Sequence, residues 1–62
     1  MQTPIHPLVA EMVSKLSPGL REEFEERAAI LEYDAKLSRA HAECLALLEV
    51  LNRHPEALAA GI

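Results

Sequence analysis

Few residues in this chain could do chemistry: His41 and Cys44, the further histidines His6 and His54, and the carboxylates Glu22, Glu23, Glu25 and Glu26. His41 and Cys44 stand three apart, which on a helix places an imidazole and a thiol side by side as half of a zinc site. His54 or His6 would have to supply a third ligand. Structural zinc in a small domain draws on two such pairs, and this sequence holds one. The expectation is no metal, with a buried thiol and an imidazole at the margin of a core. A nucleophilic Cys44 needs a base and a cleft, for which 62 residues leave little room. The four glutamates read as the solvated face of a helix, not as an acid/base pair. No catalytic residue and no cofactor are expected, and the chain is read as a non-enzyme.

Size and composition bound the remaining choices. A domain of 62 residues buries only about 60% of the surface its unfolded chain exposes, so stability is marginal without a staple or a partner subunit. The single cysteine rules out an internal disulfide and suits a reducing compartment. The N-terminus has neither the basic region nor the apolar run of a secretion signal, and no stretch approaches the ~20 apolar residues that cross a bilayer. These features point to a cytoplasmic protein off the membrane. Ten acidic against six basic side chains give a net charge of −4, which disfavours a general binder of phosphate backbones and favours protein partners.

The elements that must position these residues follow from apolar spacing and punctuation. Residues 1–6, with Pro4, form an extended lead-in. Pro7 suits a first helical turn, and Leu8, Val9, Met12, Val13 and Leu16 share a face, giving a first helix over about 7–16. Ser17-Pro18 is an N-cap followed by proline at the first helical position. The second helix, about 18–33, carries the stripe Leu20, Phe24, Ala28, Leu31 and Ala35. Ile30, Tyr33 and Leu37 form another arc, so contact from two directions is expected. Glu23 with Arg27, and Glu32 with Lys36, have the spacing of intrahelical ion pairs.

Ser38 reads as the N-cap of a third helix, about 38–53, with Leu37 as a hydrophobic staple. The alternative is one unbroken helix from residue 20 to 53, since the break contains neither glycine nor proline. The hairpin is favoured, because a lone long helix would leave both apolar stripes uncovered. The third helix has Ala40, Cys44, Leu47, Leu48 and Leu51 on one face, with Arg39, Glu43, Glu49 and Arg53 opposite. Residues 55–62 make a short turn or tail. The fold expected is all-α: a helical hairpin with a short N-terminal helix packed across it, one small three-helix domain over 1–62. Its core is Leu20, Phe24, Leu31, Leu37, Cys44, Leu47, Leu48 and Leu51.

The run from Arg21 to Asp34 (REEFEERAAILEYD) with Leu37 to Glu43 (LSRAHAE) resembles a short segment of proteobacterial phage and plasmid proteins. There it sits near the end of primase-like or uncharacterised polypeptides, with an aromatic-Asp-Gly-Gly-Leu turn before Ser/Pro-Arg-Glu-Glu-Ala-Glu. The resemblance covers residues 21–43 and implies helix, turn, helix and a mobile-element origin. It brings no catalytic residue. Ala35 and Lys36 stand where the glycines are usual, and His41 replaces the acidic residue that would close a capping box on Ser38. If the turn needs a positive φ at residue 36, Lys36 costs about 1 kcal/mol relative to glycine.

The function these features favour is a non-catalytic protein-interaction module from a phage, plasmid or related mobile element, such as a small inhibitor of a host protein. Its contact surface is expected at Ile30, Tyr33, Glu22, Glu23, Glu26, Met12 and Leu58, with self-association as a homodimer or larger. A nucleic-acid accessory domain is an alternative, weakened by the mixed charge of the third helix. A purely structural oligomerisation element is another.

Overall fold

A computed structural model describes residues 4–59, and side-chain positions as far as residue 57. The helices are α1, Pro7–Ser14; α2, Pro18–Tyr33; α3, Arg39–Arg53; and a single turn, α4, Glu56–Ala59. No strand occurs among the described residues. The all-α hairpin is present, with α2 packed along α3 and the shorter α1 against both. Residues 1–3 and 60–62 of the expected lead-in and tail lie outside the described residues.

Each of the three longer helices starts where a side chain accepts from one of its free amides. Ser17 Oγ accepts from Leu20 N–H at 3.3 Å, with Pro18 next in the chain, and Ser38 Oγ accepts from His41 N–H at 3.2 Å. His6, in the expected lead-in, is the N-cap of α1: its Nδ1 accepts from Leu8 N–H at 3.1 Å. The first helix is two residues shorter than expected. It closes in a tight turn, with Lys15 N–H donating to Met12 O and Leu16 N–H to Val13 O at 3.1 Å each, and the Arg21 guanidinium donates to Ser14 O at 3.1 Å and to Leu16 O, beyond the helix, at 3.5 Å.

The hairpin turn solves the problem that glycine would have solved. Lys36 takes φ +57°, in the left-handed region, and Leu37 N–H then reaches back to the carbonyl of Leu31 at 3.3 Å. The unbroken-helix alternative fails at this residue.

The core holds Val9, Val13 and Leu16 of α1, Phe24 and Ala28 of α2, Ala46, Leu47 and Val50 of α3, and Ala57 of α4. Met12, Leu20, Leu31, Cys44 and Leu51 pack half-buried against it. Three expectations are corrected here. Leu48, expected in the core, is 62% exposed, and Leu8, expected on the buried face of the first helix, is 67% exposed. Leu37 is half-buried in the turn and lies outside the main cluster.

The reason is a rotation of α3 relative to its leucine stripe. The strip of α3 with buried Ala42, Glu43, Ala46 and Val50 is the one flanked by residues that bond to α2. Leucines 47 and 51 lie further round the helix, in the cluster shared with α1, and Leu48 lies beyond them. Ala28, Ala42 and Ala46 are fully buried, so small side chains fill the places where the two long helices meet.

Candidate functional site

Charged side chains flank both edges of that alanine-lined seam. On one edge, Arg39 donates through Nε to Glu43 Oε2 at 2.9 Å and through Nη1 to Glu32 Oε1 at 3.2 Å, while Glu25 stands 3.6 Å from Nη2. On the other edge, Arg27 Nε donates to Glu49 at 2.8 Å, and Glu23 lies 3.8 Å from Arg53 and 3.4 Å from His54 Nε2. Glu23 Oε1 shares a 3.4 Å hydrogen bond with His54 Nε2, while its buried Oε2, the oxygen 3.8 Å from Arg53, has no hydrogen-bond partner. The other ring nitrogen of His54 faces Glu56 at 3.1 Å, joining α4 to the end of α3.

These contacts overturn two readings of the sequence. Glu23 and Arg27, and Glu32 and Lys36, do not pair along α2; Glu23, Arg27 and Glu32 bond across to α3 or its C-cap instead. Of Arg39, Glu43, Glu49 and Arg53, placed by spacing opposite the apolar face, Glu43 is buried and Arg39 and Glu49 pair across the seam, while Arg53 stays exposed with Glu23 3.8 Å away. Glu43 is 1% exposed and also accepts the Ile5 N–H at 2.9 Å, which ties the segment before α1 to α3. Burial alone would lower the pKa of Arg39, but its hydrogen bonds to Glu43 and Glu32 and the charges of Glu43 and Glu25 raise it overall. The guanidinium is a permanent cation among three carboxylates.

The chemistry-bearing residues of the sequence are dispersed. His41 is exposed on α3, Cys44 is half-buried against the core, and His6 and His54 serve helix ends. Among the described residues no three His, Cys, Asp or Glu side chains converge as metal ligands, and no helix is long and apolar enough to cross a membrane.

What remains open to another molecule is the side of α2 turned away from the seam. Glu22 and Glu26 are exposed, Ile30 is 38% exposed and Tyr33 is 77% exposed. By helix geometry these four fall within about 80° of one another, opposite Phe24 and Ala28. At its N-terminal end a shallow groove is lined by Gly19, Glu22, Glu23 and Glu26. Of the other expected contact residues, Glu23 is held by α3 and its C-cap, Met12 packs against the core, and the side chain of Leu58 lies outside the described ones. Sequence reasoning missed the Arg39–Glu43 cluster. Its only signal was the four-residue spacing of the two, shared by many solvated pairs.

No family model matches the chain, and neither does any curated protein or solved structure. The resemblance over residues 21–43 therefore stands on those residues alone.

Proposed function

We propose that the chain is a non-catalytic protein-interaction module that binds through the outer face of α2. The observation that carries this reading is the pairing of Tyr33, 77% exposed, with Ile30 on a helix whose other charged and apolar sides are engaged by α3 and α1. Large apolar groups left in water beside polar ones mark contact surfaces, and tyrosine is enriched in them. A mobile-element origin fits the resemblance of residues 21–43 and sets no target.

The test is a pull-down with the wild-type chain beside an Ile30→Glu/Tyr33→Glu variant, both checked for helical circular dichroism. A specific protein recovered by the first and lost by the folded second supports the reading. Equal recovery by both contradicts it.

Self-association is a second reading, and a separate observation favours it. Leu8 on α1 and Leu48 on α3 are 67% and 62% exposed, which suits burial against another copy. Light scattering behind a sizing column over about a hundredfold range of concentration tests it, because mass action raises both the oligomer fraction and its melting temperature. A monomer throughout, with a melt that ignores concentration, contradicts it.

A further inference from the structure

The outer face of α2 is divided along its length. Its first half presents Glu22 and Glu26, and its second half Ala29, Ile30 and Tyr33; from residue 22 to residue 33 the face runs about 16 Å along the axis. The charges elsewhere on the helix are matched: Glu25 and Glu32 by Arg39, Arg27 by Glu49, Glu23 by Arg53 and His54, and Arg21 by backbone carbonyls. Glu22 and Glu26 make no ion pair among the described residues. Local negative charge is thus unneutralised at one end of the face, in a chain of net charge −4, and the other end is apolar and aromatic.

We infer that this face docks a cationic amphipathic helix from another protein, with lysines or arginines over Glu22 and Glu26 and apolar side chains over Ile30 and Tyr33. The inference rests on the interaction reading above and adds the chemistry of the partner. A helix is the fitting occupant because anchors one and two turns apart on a partner helix fall beside anchors at the same spacing on α2. Opposite charge at one end sets the orientation and speeds encounter, and burial of the apolar end supplies most of the affinity. A second copy of this chain is a poorer occupant, since its exposed lysines, Lys15 and Lys36, lie outside any helix and its exposed helical cation, Arg53, already stands 3.8 Å from Glu23.

The experiment titrates the isotope-labelled full chain with a synthetic peptide carrying two lysines and then two leucines on one helical face. A control peptide of the same composition has that order scrambled. Tyr33 is the only tyrosine and tryptophan is absent, so intrinsic emission reads the site directly beside amide chemical shifts. The ordered peptide should move amides within residues 22–33. A Glu22→Lys/Glu26→Lys variant should weaken it about tenfold, and so should a rise in salt from about 50 to about 500 mM. Equal affinity for the scrambled peptide, shifts centred outside residues 22–33, or no binding overturns the inference.

The natural partner separates this failure from failure of the parent reading. A protein lost by Ile30→Glu/Tyr33→Glu but retained by Glu22→Lys/Glu26→Lys would overturn the cationic chemistry and leave the interaction function in place.

Discussion

At the scale of single residues, Glu43 and Arg39 have the most to lose from substitution. A carboxylate that is 1% exposed is tolerated because a guanidinium and a backbone N–H both meet it. Arg39→Ala should therefore destabilise the chain by about 3 kcal/mol, read as a lower urea midpoint, because it leaves Glu43 buried and unpaired. The double change Arg39→Met/Glu43→Leu should cost much less, since it removes both charges together. The raised pKa of Arg39 gives its contribution a definite sign against pH. The contribution is complete below the unfolded value, itself strongly alkaline, and fades only as pH rises through the higher folded value. Arg39 itself should therefore add no step to wild-type melts near neutral pH, whereas the penalty of Arg39→Met should shrink as pH falls, because the unpaired buried Glu43 can then take up a proton. Lys36 is the opposite case, a side chain the fold would be better without. With φ at +57°, Lys36→Gly should raise stability by about 0.5–1 kcal/mol in the same urea assay.

At the scale of elements, the helices are held at their ends by caps and along their lengths by a narrow seam. Ser38→Ala should cost about 1 kcal/mol through the lost bond to His41 N–H, seen as a lower melting temperature. The seam makes a sharper forecast, because it ranks alanine above leucine. Ala46→Leu should destabilise by about 1–3 kcal/mol through overpacking between α2 and α3, whereas Leu48→Ser should stay within about 0.5 kcal/mol. The reverse order would show that the leucine stripe faces α2.

This is also where the sequence was hardest to read. Proline and serine fix helix starts by local chemistry, so the bounds of α2 and the cap at Ser38 were legible. The left-handed residue at position 36 was legible only through the turn that residues 21–43 resemble. The rotation of α3 was not, because leucine outweighs alanine in any apolar stripe and charged residues read as solvated. Only the proximity of α2 shows that Ala42 and Ala46 mark the contact and that Arg39 and Glu49 bond across it. Of the candidate site, Ile30, Tyr33, Glu22 and Glu26 were legible, because they lie opposite the stripe of Phe24 and Ala28. Glu23 and Met12 lie at the edges of buried arcs, where spacing alone does not separate a contact residue from a packing one.

For the whole molecule, the charged seam and the outer face of α2 are two consequences of one arrangement. Because α3 engages both flanks of α2, the remaining side presents Glu22, Glu26, Ile30 and Tyr33 to solvent on a rigid helix. Tyr33→p-benzoylphenylalanine, with Leu48→p-benzoylphenylalanine as a parallel probe, tests directly whether that side meets another protein. The chain is irradiated in extract of its source cells, and cross-linked species are identified by mass spectrometry and reconstituted from purified components. The account predicts one foreign protein cross-linked from position 33, reproduced with the purified protein, absent from position 48, and lost when Ile30→Glu is added. Cross-links from position 33 only to a second copy, or a foreign protein captured only from position 48, would contradict it.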